Sequence, residues 1–521
     1  MRAWRAAWEP KIPLVVGTLV AAIALAAITP VPVGVFWDDG VYLIGAKALA
    51  SGVGYHFVHL PGAPPAVHFP PLYPALLALV WKADPVFPAN VTLLKLVNPI
   101  LLGLAAALAC VFGVRRLAMP PLAAAAAALI CTASLPLIVV AGVLFSEPLF
   151  LAVLFLALLL AERAAKLGGL RRALIAGFAA GALVLVRTAG LALPPALVIG
   201  LLAARRRREA AMAAAAALAA IAPWQLWVSS RASALAPPLR GSYGPYVDWV
   251  FALYRARGAW FVLTVIRENV LALFRTLGIA LFPFGLRGLR PLLVTLVIVV
   301  VVVAMLSARR RAPAAMLFLC FYFALVLAWP YAPDRFLWAV WPLVGLLVAS
   351  GAVESWRLWA FAHTHASVRA SVALACAVGA IALGGHAAYS VRGMWRHWWD
   401  VAARANAAAL MPVADWINTH TGRDDVVACD GEPFVHLYTG RTVVPVHILS
   451  PDEYLAGTPL EQAADDLRAL FIANRPRYAV FSGSAAELAA APLLDGANGT
   501  PRLVPLDTLP GGGAAFRVVF P

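Results

Sequence analysis

Apolar runs about twenty residues long recur along the chain, divided by short basic clusters and proline-rich turns. A helix needs roughly 20 apolar residues to cross the hydrocarbon of a bilayer. Candidate spans fall near 13–35, 90–113, 118–140, 147–162, 171–186, 190–204, 210–228, 291–308, 313–329, 336–352 and 370–390, about eleven in all. The segment 271–285 is a further candidate, spanning or re-entrant. Residues of the AVILMFWYC set make up 63% of the 521, charged residues 13%, and mean hydropathy is +0.84. So few charges cannot clothe a soluble surface, which excludes a cytosolic enzyme, a disordered chain and a disulfide scaffold. The fold class read here is an α-helical polytopic membrane protein.

The formal net charge of +16 does not point to nucleic acid, because the bases are spread as short clusters between apolar runs. Arg2, Arg5 and Lys11 precede the first run, which is too long for a signal-peptide core. It reads as an uncleaved first span starting in the cytoplasm. Even-numbered spans then end at Arg115-Arg116, at Glu162-Arg163 with Lys166, at Arg205 to Arg208, at Arg309 to Arg311, and at Glu354 to Arg369. Each is a basic cluster, as the positive-inside bias requires, and an odd count puts the C-terminus outside. Before residue 391 there are eleven Asp or Glu against 31 Lys or Arg. Seven of those acids, Asp38, Asp39, Asp84, Glu147, Asp248, Glu268 and Asp334, fall in the external loops. Acids do not set topology. A working site on the outer face would account for them.

Residues 391–521 differ, with fourteen acids, ten bases and no span-length apolar run. Helical stretches near 401–420 and 459–474 alternate with β-rich runs at Asp425–Cys429, Arg441–Pro445, Tyr478–Phe481 and Phe516–Phe520. This predicts a small α/β extracytoplasmic domain after a transmembrane module of 1–390, whose first external loop is 36–89. Gly511 to Gly513 has no helix after it and reads as a turn, not a phosphate loop. Cys110, Cys131, Cys320 and Cys376 lie in apolar runs and Cys429 in the tail. None pairs at metal-ligand spacing, and all read as small apolar filler.

The first external loop carries the most chemistry. Asp38 and Asp39 sit at the outer end of the first span. A second carboxylate raises the pKa of the first and favours a proton acceptor or a metal ligand; the plainer alternative is a helix N-cap. Short helices at 40–50 and 71–82 are expected to lie on the membrane interface. Ser146-Glu147-Pro148 opens the fourth span, as a cap or as a carboxylate facing protein, water or a cation. Arg187 and Arg335 stand on the face where positive charge is least expected. Guanidinium holds phosphate by paired hydrogen bonds; the alternatives are snorkelling or, for Arg335, pairing with Asp334. His56 and His59 have ligand spacing but no third partner. His363 and His365 read as solvated.

Together these residues resemble the GT-C class of membrane glycosyltransferases, in its bacterial protein O-mannosyltransferase and aminoarabinose transferase branch. The resemblance rests on Asp38-Asp39 after span one, Phe69-Pro-Pro-Leu72, Ser146-Glu147-Pro148, Arg187 to Gly190, and Arg335-Phe336 after paired aromatics. In the tail it adds Trp416-Ile417 on a helix and Tyr438-Thr-Gly-Arg441 before a strand. It implies a sugar carried on polyprenyl phosphate, with Asp38 as base, Asp39 its partner, and inversion at the anomeric carbon. Arg335 and Arg187 would steady the leaving phosphate, and Glu147 would orient the acceptor. Tyr331, His68 and Tyr55 are the further substrate-binding candidates. A divalent metal is the one cofactor implied, with Asp39 and Glu147 as candidate ligands. The acceptor implied is a lipid, glycan or protein hydroxyl, and the place a bacterial inner membrane. Two departures stand out: Phe69, with His68 beside it, replaces a Lys often found before the loop proline, and the second acidic motif is Ser-Glu instead of an Asp-containing form. A transporter of lipid-linked sugars is the competing expectation; it calls for charges or broken helices at mid-membrane.

Overall fold

The computed structural model describes residues 11–284, 287–361, 366–449, 453–483, 485–494 and 501–521. Arg2, Arg5, His363 and His365 lie outside them. The chain forms two compact units: Met1–Ile28 with Lys95–Pro223 and Leu263–Trp399, and Thr29–Leu94 with Trp224–Val262 and Asp400–Pro521.

The first unit is helical. Among the described residues, five helices are long and apolar enough to cross a membrane: Val91–Arg115, Glu147–Leu167, Arg207–Ala234, Arg287–Ala308 and Ala370–Trp395. Shorter apolar helices include Lys11–Ala26, Thr188–Ala203 and Pro313–Ala328. Small residues let these helices close up without a hydrophobic driving force between them. Gly17 and Gly103 show how tightly: a Cβ on Gly17 would lie 2.8 Å from the Gly103 carbonyl oxygen, and one on Gly103 would lie 2.6 Å from that of Gly17.

Three expected spans are redrawn. The first helix ends at Ala26 instead of near residue 35, because Pro30 and Pro32 cannot supply helical N–H groups. The 118–140 run is Pro121–Thr132 and Leu135–Gly142, bent by 54°. Ser134 there is extended (φ −74°, ψ 150°), two residues before Pro136. The 271–285 piece is the end of a 21-residue helix, Phe261–Leu281. Its Arg267, Glu268 and Arg275 interrupt the apolar pattern that would have revealed its length.

The second unit holds a five-stranded sheet: β1 Val426–Cys429, β2 Thr442–Pro445, β3 Tyr478–Phe481, β4 Arg502–Leu509 and β5 Gly513–Val519, in the order β2-β1-β3-β5-β4. β1 pairs in parallel with β2 and β3, and β5 is antiparallel to β3 and β4. Helices Val401–His420 and Leu460–Asn474 fall where the sequence puts them. β4 goes unforeseen because Pro505 lies inside it; an edge strand tolerates the missing donor, and the register shifts between Pro505 and Asp507. The glycines at 511–513 make the β4–β5 turn, with φ near +90° at Gly511 and Gly512.

The tail is not alone in this unit. The 36–89 segment, with helices Asp38–Ala50 and Leu72–Ala83, packs with it. It meets the sheet edge at one point, where the Val443 N–H of β2 donates to the His59 carbonyl at 2.8 Å.

Candidate functional site

Two groups of polar side chains stand out, one in each unit, and each is described by itself. In the helical unit, Glu147 opens the helix Glu147–Leu167 and is fully buried. Pro148 suits the first turn, where a missing N–H costs nothing. Ser146 precedes the helix but makes no side-chain cap; its Oγ accepts from Arg187 Nη1 at 3.1 Å. The capping alternative for Ser146 therefore fails.

Arg187 ends the helix Leu170–Val186, and its Nη1 stands 2.8 Å from Glu147 Oε1. Arg335 lies on the short helix Asp334–Trp338; its Nε donates to Glu147 Oε1 and its Nη2 reaches Oε2 at 3.3 Å. Its guanidinium also stands 3.7 Å from the centre of the Phe145 ring. Asp334 instead accepts from Thr276. Arg335 thus pairs with Glu147 instead of Asp334, and two half-buried arginines meet on one buried carboxylate. A carboxylate at the edge of hydrocarbon needs a cation, and this one has two. The three side chains sum to one positive charge, a setting suited to an anion.

In the second unit, Asp39 is fully buried and Asp38 half-exposed. Asp39 closes a turn on itself: its carboxylate accepts from the N–H groups of Gly34 (2.7 Å), Phe36 (2.8 Å) and Gly40 (3.1 Å). Burial pushes Asp39 up to about 7, the charge of Asp38 adds to that, and the three N–H donors oppose it. The two carboxylates of one motif therefore differ: Asp39 shapes the turn and Asp38 is the more accessible. Trp37, just before them, has a positive φ (φ 53°, ψ −63°) at the centre of a γ-turn in which the Asp38 N–H donates to the Phe36 carbonyl, a strained backbone for an aromatic residue.

His68 donates from Nδ1 to the Gly244 carbonyl at 2.8 Å, and its ring meets Trp37 edge-on at 5.6 Å. Burial holds His68 below its usual range, partly offset by the negative charge of Asp38. Tyr55 donates its hydroxyl to the Phe69 carbonyl at 3.0 Å, which fixes the loop. Tyr331 is exposed. His59 Nε2 stands 2.8 Å from the Tyr243 hydroxyl, and His56 and His59 gain no third ligand among the described residues.

The donor set does not fit the divalent metal that the resemblance implies. Both oxygens of Glu147 meet guanidiniums, and Asp39 is engaged by backbone N–H groups. No three His, Cys, Asp or Glu side chains gather as a metal site among the described residues.

Sequence reasoning missed Glu432. It is buried, and its Oε1 accepts from Trp37 Nε1 (2.8 Å) and from the Tyr243 hydroxyl (2.6 Å). The available signal was Glu432-Pro433 at a helix start, the same pattern as Glu147-Pro148.

Solved structures share this architecture from end to end. The chain matches ArnT from Cupriavidus metallidurans bound to undecaprenyl phosphate with a TM-score of 0.53 and 15% identity, over 97% of each chain. The chain has the ArnT fold. ArnT in the apo state matches equally, with a TM-score of 0.53 and 14% identity over 96% of this chain and 97% of that one. No family model matches the sequence, and no curated protein resembles it significantly. The fold expected from the aminoarabinose transferase resemblance is therefore met, including the small sheet-bearing tail.

Proposed function

We propose that the chain is an integral-membrane glycosyltransferase that moves a sugar from a polyprenyl-phosphate carrier to an extracytoplasmic hydroxyl, with inversion. The observation that carries this reading is the buried Glu147–Arg187–Arg335 cluster, with its one excess positive charge, on a fold shared with a protein solved with undecaprenyl phosphate. Asp38 takes the proton from the acceptor O–H. The oxygen forms its bond to the anomeric carbon as the bond from that carbon to the phosphate oxygen breaks. The leaving lipid phosphate keeps the electron pair, and Arg335 and Arg187 stabilise that charge. Glu147 aims the two guanidiniums, a different task from the acceptor-orienting one first expected of it. His68 steadies Asp38 and its neighbours, and Tyr55 fixes the loop that carries them. Tyr331, exposed beside the Arg335 turn, contacts donor or acceptor. The setting is a bacterial inner membrane, with the N-terminus cytoplasmic and the sheet-bearing tail outside.

Binding of undecaprenyl phosphate to the full-length protein in nanodiscs tests the donor half. Wild type should bind, and Arg335→Met should weaken binding about tenfold or more, the loss of one charge-assisted hydrogen bond. Equal binding by both would remove Arg335 from the phosphate.

A further inference from the structure

The five-stranded tail has no chemistry in the reaction just described, yet one of its helices meets the catalytic turn at every step. That helix is Glu432–Thr439, between β1 and β2. Glu432 accepts from Trp37 Nε1 at 2.8 Å. A Cβ on Gly40 would lie 2.7 Å from Pro433 Cβ, so the residue after Asp39 must be glycine for the helix to seat. A Cβ on Gly34 would lie 3.2 Å from Leu437 Cδ1 and 3.6 Å from Phe434 Cα. His436 Nε2 is 3.3 Å from Lys47 Nζ, and Tyr438 accepts the Val33 N–H at 3.2 Å. These contacts bracket the Asp38-Asp39 turn on both sides.

Glu432 is the focus of this contact. Tyr243 has a single hydroxyl hydrogen, which goes to Glu432 at 2.6 Å. His59 must then donate to that hydroxyl from Nε2, which leaves its Nδ1 bare. That atom, an acceptor in the neutral tautomer, is buried without a hydrogen-bond partner among the described residues. A buried carboxylate without donors would be costly. Here an indole, a phenol and the histidine behind it satisfy one, and the indole belongs to the residue whose backbone is strained. Strain of this kind persists only where surrounding structure holds it.

We infer that Glu432 is a positioning residue: through Trp37 it holds the strained γ-turn that presents Asp38 to the acceptor. The inference rests on the glycosyltransferase reading for its catalytic consequence, but not for its structural one. The tail helix thereby acts as a clamp on the catalytic loop.

The test uses the full-length protein and three variants: Glu432→Leu, Glu432→Gln and Trp37→Phe. Glutamine keeps an oxygen that can accept from Trp37 and Tyr243, whereas leucine removes it at similar volume. Hydrogen exchange of the Gly34, Phe36 and Gly40 amides reads the turn without any assay of transfer. Protection should fall in Glu432→Leu and Trp37→Phe and be kept in Glu432→Gln. With an undecaprenyl-phosphate-linked sugar as donor, kcat should fall by roughly 10- to 100-fold in Glu432→Leu with donor KM within about twofold, the signature of a misplaced group. Glutamine should restore most of it, and Trp37→Phe should add little on top of Glu432→Leu. Unchanged amide protection in Glu432→Leu overturns the clamp. Loss of protection with unchanged kcat overturns the positioning role. Loss of protection in a protein whose wild type transfers no sugar would uphold the clamp and sink the proposed function instead.

Discussion

Glu147 and Asp39 are both fully buried carboxylates close to a helix start, but they are satisfied in opposite ways. Glu147 meets two guanidiniums, whereas Asp39 meets three backbone N–H groups. A charge balanced by charge can be spared for electrostatics, because its partners stay cationic at every working pH. A charge balanced by the backbone is spent on shape, because moving it unfolds the turn. The helical unit thus holds its buried carboxylate by charge, and the sheet-bearing unit holds its own by backbone geometry.

Removing the centre of the ionic cluster is the harshest way to break that contrast. Glu147→Ala leaves two guanidiniums around an empty space and should cost about 3–5 kcal/mol, the usual penalty for unpairing buried ions. Thermal unfolding in detergent would read it, and a melting curve like that of wild type would deny that the cluster is buried and ionic. Arg335→Lys is gentler, since it keeps the charge and loses the fork that spans both Glu147 oxygens. It should cost about 1.5–3 kcal/mol. Arg187→Lys should cost about as much, because it loses the guanidinium that reaches Glu147 and Ser146 together.

Asp39 sharpens the other side through pH. Its carboxyl binds a proton more tightly in the folded protein, at about 7, than at its ordinary 3.8. Stability from this group is therefore full at low pH and is lost as pH rises from about 4 to 7. The neighbouring histidines, His59, His68 and His436, are held below their usual range by burial. They give the opposite slope, with stability lost as pH falls below about 6.5. Because they stay in both proteins, the difference in melting temperature between wild type and Asp39→Asn isolates Asp39. That difference should move against wild type by a few degrees from pH 4 to 7. A flat difference would mean that Asp39 does not carry the proton.

Much of this was legible in the sequence, for identifiable reasons. Helices bounded by charge, such as Val91–Arg115 ending at Arg115, announce themselves by hydropathy and basic clusters. Four strands of the tail are legible because Val426, Val443, Val480 and Val518 lie in short apolar runs, although β5 begins at Gly513, three residues before the run at Phe516. Glu147, Arg187 and Arg335 were picked singly as residues in costly places, and they meet. What escaped depends on chain-distant partners. Glu432 is 395 positions from Trp37, and nothing local marks that bond. The Asp pair likewise looked symmetric, until burial separated Asp39 from Asp38.

The most direct test is sugar transfer by the purified protein in proteoliposomes, with undecaprenyl-phosphate-linked aminoarabinose and mannose supplied in turn, a bacterial envelope lipid and glycan extract supplied as the source of acceptor hydroxyls, and release of undecaprenyl phosphate measured. Wild type should turn over one of them, and Asp38→Asn, folded and inserted as wild type, should lose at least about 100-fold in kcat, as the loss of a general base requires. Near-normal release by Asp38→Asn would contradict the account.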